Sequence, residues 1–78
     1  MHITLIEKSS QGFRLSVFDE TLVMLGSDSY KDSYTLNFHM QAIVKKHDIK
    51  KSILIIHDKE KNTVNLMLAS DESSFFVG

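Results

Sequence analysis

The chain contains no cysteine, no proline and no tryptophan, and only three of its 78 residues are glycine. Without cysteine there is no disulfide framework and no thiolate metal site, and a reducing compartment is expected. Without proline, and with so little glycine, a long disordered linker is not expected either. Three scattered glycines cannot build a phosphate-cradling loop. Charge of one sign is missing too: nine basic and ten acidic side chains leave a formal net charge of −1. That balance argues against a dedicated nucleic-acid binder, and against a strongly acidic mimic of DNA. No apolar run approaches the ~20 residues that span a bilayer. Met1-His2-Ile3-Thr4 is not a basic region leading into a long apolar stretch, so no signal peptide is expected. The prediction is a cytoplasmic protein with no membrane partner.

What is present is an ordinary globular composition, 42% hydrophobic and 24% charged. The length suits one domain covering residues 1–78. A domain this small buries only about 60% of the surface of its unfolded chain. Its core is thin, and a homodimer would add buried area.

Residues 2–8 are rich in β-formers, and Ser9-Ser10-Gln11-Gly12 is a turn signal in which Gly12 can take positive φ. Phe13, Leu15 and Val17 then alternate with Arg14, Ser16 and Phe18, the period of a half-buried strand. Asp19-Glu20 makes a tight connection to a third strand over 21–25, and Gly26-Ser27-Asp28-Ser29 is expected to break the sheet. Ser29, Asp32 and Ser33 are each able to cap a helix running to about His47, with Leu36, Met40, Ile43, Val44 and His47 in one apolar stripe. Residues 52–57, the most apolar run, predict a central strand covered on both faces. A polar loop over 58–62 leads to a last alternating strand, 63–69, with a short sixth element expected at Phe75-Phe76-Val77 after the polar tract 70–74. The predicted fold is α+β: an antiparallel sheet of about five strands, β-β-β-α-β-β, with one helix on one face.

Chemistry is scarce. His39 and His47 stand eight residues apart on the helix, roughly 80° apart in azimuth, with no glutamate in the zinc-protease position. His57 and Asp58 are strand neighbours and face opposite ways. His2 has no partner in the pattern. No metal or other cofactor is expected. The serines of the turns lack the glycines of a nucleophile elbow, and the pairs Asp19-Glu20 and Asp71-Glu72 read as solvated turn residues. The chain is read as a non-enzymatic protein.

Two surface features remain. Lys45, Lys46, Lys50 and Lys51 gather near the helix C-terminus, where positive charge complements the helix dipole and could also meet phosphates. The interleaved aromatics that single-stranded nucleic acid needs are absent there, so direct nucleic-acid binding is the alternative reading. On the outer helix face Tyr34 and Phe38 are four apart, and Lys45 follows on the same side. Exposed aromatics beside a cation are enriched at interfaces. Tyr34, Phe38 and Lys45 are therefore the expected protein-binding anchors, with Lys46, Lys50 and Lys51 as an electrostatic rim.

Phe13-Arg14-Leu15, Ser27-Asp28-Ser29-Tyr30, and Met40 and Ile43 with Lys45-Lys46 resemble the repeat unit of the YegP-like family of small bacterial proteins. The resemblance covers residues 13–46. The family's hairpin Asn-Gly is replaced here by Asp19-Glu20, its helix glycine by His39, and no second copy follows. It would imply a small cytoplasmic protein of unknown function. In length and layout the chain is also similar to small type I anti-CRISPR proteins of phages and mobile elements. That similarity would imply a partner that is a larger protein or ribonucleoprotein complex.

Overall fold

A computed structural model describes residues 1–70 together with Phe75 and Val77. Five strands and one helix follow the expected order: β1 (His2–Ser9), β2 (Gly12–Phe18), β3 (Met24–Tyr30), α1 (Ser33–Lys46), β4 (Ser52–Asp58) and β5 (Thr63–Ala69). The sheet order is β3-β2-β1-β4-β5. Every neighbouring pair is antiparallel except β1 and β4, which run parallel.

Parity explains the parallel pair. The meander makes β3 run with β1, and the helix carries the chain back before β4 begins. β4 therefore enters along the direction of β1. It had two free edges to choose from. β3 offers Gly26-Ser27-Asp28-Ser29, whereas β1 offers Ile3, Leu5 and Ile6, and the most apolar strand pairs with the apolar edge. So β1, not residues 52–57, is the central strand.

The Ser9–Gly12 pair closes the first hairpin, with Gly12 at φ 129°. A Cβ there would run into the Tyr30 carbonyl oxygen, which adds a close approach to the turn requirement. The expected third strand is displaced. Asp19 organises residues 19–23: its carboxylate accepts from the Thr21 and Val23 amides at 2.8 and 2.9 Å, and Leu22 adopts φ 66°. These bonds hold the Asp19 carboxyl below its ordinary range, the Thr21 hydroxyl contributing most. The strand starts only at Met24, and Gly26 to Ser29, expected to break the sheet, continue it. Arg14 donates to Ser27 and Ser29, and Ser16 meets Ser27, so small polar side chains are served across the ladder. A register shift lies between Val17 and Phe18, whose partners are Gly26 and Met24.

Of the three possible caps, Asp32 is the one used. It accepts from the Thr35 amide at 2.7 Å, which holds its carboxyl below the ordinary value. At the other end the Ile49 amide reaches the Val44 carbonyl at 2.9 Å and the Asp48 amide reaches Lys45 at 3.3 Å. This is a Schellman ending, with Asp48 at φ 50° where glycine is usual. Ile49 and Val44 are both buried beneath it.

The core lies between α1 and one face of the sheet. Leu36, Met40 and Val44 meet Ile6, Leu15, Val17, Leu54 and Ala69, and Phe75 and Val77 belong to the same cluster. Ile43 packs at its margin and against Gly26, while His47 is only half-buried. Thr4 and Ser52 are the polar members, and their hydroxyls bond each other at 2.8 Å. β4 is covered on one face alone: Ser52 and Leu54 are buried under the helix side, whereas Ile53 and Ile55 on the other side stay partly exposed. Phe75 and Val77 are not in a strand, and Asp71, Glu72, Ser73, Ser74 and Phe76 of the expected polar tract and sixth element lie outside the described residues.

Two outcomes test this packing. Ser52→Ala should cost about 1–3 kcal/mol in a denaturant melt because it orphans the Thr4 hydroxyl, and Thr4→Val/Ser52→Ala should recover most of that loss. Asp48→Gly should raise stability by about 0.5–1 kcal/mol by relieving the left-handed position.

Candidate protein-interaction site

An α-helix on a sheet must hide one stripe and show the other. In α1 the hidden stripe is Leu36, Met40 and Val44. The shown face carries Tyr34, 81% exposed, and Phe38, 67% exposed. One turn apart, these rings line a shallow groove of about 490 Å³ with Asn37, Gln41, Ala42 and Lys45. Both expected aromatic anchors and the expected lysine therefore share one concave surface. Lys46, Lys50 and Lys51 are exposed at the C-terminal end of the helix and beyond it, outside the groove lining.

Two of the groove residues make a long-range contact that residue spacing did not announce. Asn37 grips the backbone of Val77 from both sides, its Nδ2 donating to the carbonyl at 2.8 Å and its Oδ1 accepting from the amide at 2.9 Å. Gln41 Nε2 donates to the Phe75 carbonyl at 2.9 Å. Asn37 and Gln41 are four apart, so both amides align along one helix edge and bond the backbone of Val77 and Phe75. The Phe75 side chain is fully buried in the core. Asn-x-x-x-Gln on a half-exposed helix edge was the only signal in the sequence, and it does not name its partner.

The histidines do not converge. His39 is exposed, with its ring edge-on to Tyr30 at 4.9 Å and tilted to Phe38 at 5.7 Å. It props the aromatic patch rather than meeting His47 or His57. Among the described residues no group of three or more His, Asp or Glu side chains is placed to hold a metal ion. Among the described residues no helix is long and apolar enough to cross a membrane.

The sheet supplies a second apolar surface. On the face away from α1, Met24, Phe18, Ile3, Ile53 and Leu68 form one cross-strand row, and Leu5, Ile55 and Leu66 form part of the next. Leu66 is 66% exposed, and Val64 and Leu68 each 56%. Arg14, Glu7 and His57 line up at one end of this face. Glu7 is paired with Lys59 at 3.0 Å and Arg14 with the β3 serines. Of the described elements, only α1 crosses a face of the sheet, and it is on the other one.

No protein-family model, curated protein or solved structure matches this chain.

The tail clamp makes a direct expectation. Asn37→Ala should lower stability by about 1–2 kcal/mol, the worth of two lost hydrogen bonds, and should speed hydrogen exchange at the Val77 amide more than at the β1 amides.

Proposed function

We propose that this protein is a non-enzymatic binding module that occupies a surface of a larger protein or ribonucleoprotein complex, as an inhibitor carried by a phage or mobile element would. Its length and layout are similar to those of small type I anti-CRISPR proteins, and that similarity supports a larger complex as the partner. The observation that carries the reading is the outer face of α1. A solvent-facing helix surface ordinarily holds polar side chains, yet Tyr34 and Phe38 stand there one turn apart.

Both rings hold large apolar area on only two rotatable bonds each, so little entropy is lost when a partner covers them. The fold does not need them in place, because the helix is anchored by its opposite stripe. Asn37 and Gln41, which line the groove, are bonded to the Val77 and Phe75 backbone, and side chains ordered before binding lose less free energy when a partner arrives. Lys45 closes one end, and Lys46, Lys50 and Lys51 extend positive charge beyond it. The matching partner surface is an apolar recess with carboxylates on one side. Rim charges of this kind steer encounter and choose orientation more than they add affinity.

The test is capture of the partner from the native host lysate, then binding of the purified partner to wild type and to Tyr34→Ala/Phe38→Ala. The double variant should melt at the wild-type temperature and bind at least ~10-fold more weakly. A fall of several degrees in Tm would put Phe38 in the core, and unchanged affinity would remove the helix face from consideration. Binding that vanishes on nuclease treatment and falls steeply with salt would move the function to the lysine cluster.

A further inference from the structure

We propose that the end of the sheet beside the β1–β2 turn is an anion site, which takes the doubly charged phosphate group of a small molecule. It shares no residue with the helix groove and goes beyond the function proposed for that surface.

A groove of about 450 Å³ lies there. That volume falls within the roughly 300–1,000 Å³ of small-ligand sites. Its charged lining is Arg14, Lys31 and Lys59 against the single carboxylate of Glu7. Glu7 meets Lys59 at 3.0 Å, and that pair offsets itself. Arg14 stands directly across from Glu7 in the β1–β2 register, yet it does not pair with it. It turns to β3 instead, donating from Nη1 to Ser29 at 3.4 Å and from Nη2 to Ser27 at 3.2 Å. Serine hydroxyls are neutral. They fix the direction of the guanidinium and leave its charge whole. Among the described residues neither Arg14 nor Lys31 has a carboxylate partner. Asp28 of β3 does not supply one, since it is opposite the core residue Leu15 and belongs to the other face of the sheet.

The ligand chemistry follows from what the groove leaves unmet. Two uncompensated cations match a dianion. A phosphate monoester is one at neutral pH, because its second pKa is about 6. A carboxylate or a phosphodiester brings a single charge. The guanidinium N–H groups that the serines do not use can fork onto two phosphate oxygens, a geometry in which arginine excels. The hydroxyls of Ser9 and Ser29 also line the groove, and both keep a proton to donate while accepting from Gln11 and Arg14. They can serve a further oxygen, which a planar carboxylate lacks. Toward the turn the next cross-strand row is Ser9 and Gly12, and Gly12 brings no side chain to fill the space. Arg14 is carried by β2, which is bonded on both sides by β1 and β3, so the site stands on rigid backbone. The chain as a whole has a net charge of −1. This local concentration of positive charge therefore suits a compact dianion rather than an extended polyanion.

Amide NMR titration of the full chain decides the matter, at constant ionic strength and a pH above the phosphate pKa. The probes are inorganic phosphate, ribose phosphate, dimethyl phosphate and acetate. Inorganic phosphate and ribose phosphate should shift the amides of Gly12, Arg14, Ser29 and Lys31 saturably, and dimethyl phosphate and acetate should bind at least ~10-fold more weakly. Tighter binding of ribose phosphate than of inorganic phosphate assigns the site to a phosphorylated molecule, and equal binding assigns it to free phosphate. Arg14→Gln should weaken both by at least ~10-fold with the spectrum otherwise unchanged. Lys61→Gln removes the same charge outside the groove lining and should bind like the wild type. Shifts that do not saturate overturn the proposal. So does acetate binding as tightly as phosphate, or an Arg14→Gln variant that binds like the wild type. Should Arg14→Gln lose its fold, Lys31→Gln carries the same test: weakened binding supports the site, and unchanged binding overturns it.

Discussion

A sheet has two faces, and the described residues hold one helix. Hydrophobic burial of a single sheet face is the constraint on which the rest of the molecule depends. The helix delivers Leu36, Met40 and Val44 onto Thr4, Ile6, Leu15, Val17 and Leu54, and this contact builds the core. In so small a domain there is no second core to share the work. Everything outside that contact is organised around it. The Thr4–Ser52 hydroxyl pair keeps two buried polar groups satisfied inside it, and Phe75 fills its remaining side.

The same constraint decides what stays outside. The helix can cover one face, so Ile53, Ile55, Leu66 and Leu68 are left on the other. It can bury one stripe, so Tyr34 and Phe38 are left in solvent. These two surfaces lie on opposite sides of the molecule.

Much of this was legible in the residues. The period of two in 13–18 and 63–69 and the period of 3.6 in 36–44 identify the strands and the helix with bounds close to the observed ones. The pair Tyr34 and Phe38 could be placed on the outer helix face by spacing alone. Less local features were not legible. Gly26-Ser27-Asp28-Ser29 has the composition of a loop, and only its cross-strand partners Arg14 and Ser16 make it a strand. The apolar run Ile53-Leu54-Ile55-Ile56 looks like a strand buried on both faces, because composition cannot reveal that one cover is missing. Asn37 and Gln41 gave no hint that they would hold a backbone more than thirty residues away.

By itself the sequence determined the class of the protein: the order of its elements, a short set of candidate helix caps and, in Leu36, Met40 and Val44, the heart of the stripe that the helix buries. These depend on interactions within a few residues, where spacing along the chain translates directly into geometry. Only the tertiary structure decided that β1 is central and parallel to β4, that Phe75 closes the core beside the helix, and that one apolar face is left open. Those outcomes depend on which surfaces meet across long stretches of chain, and on the one helix of the described residues covering a single face of the sheet.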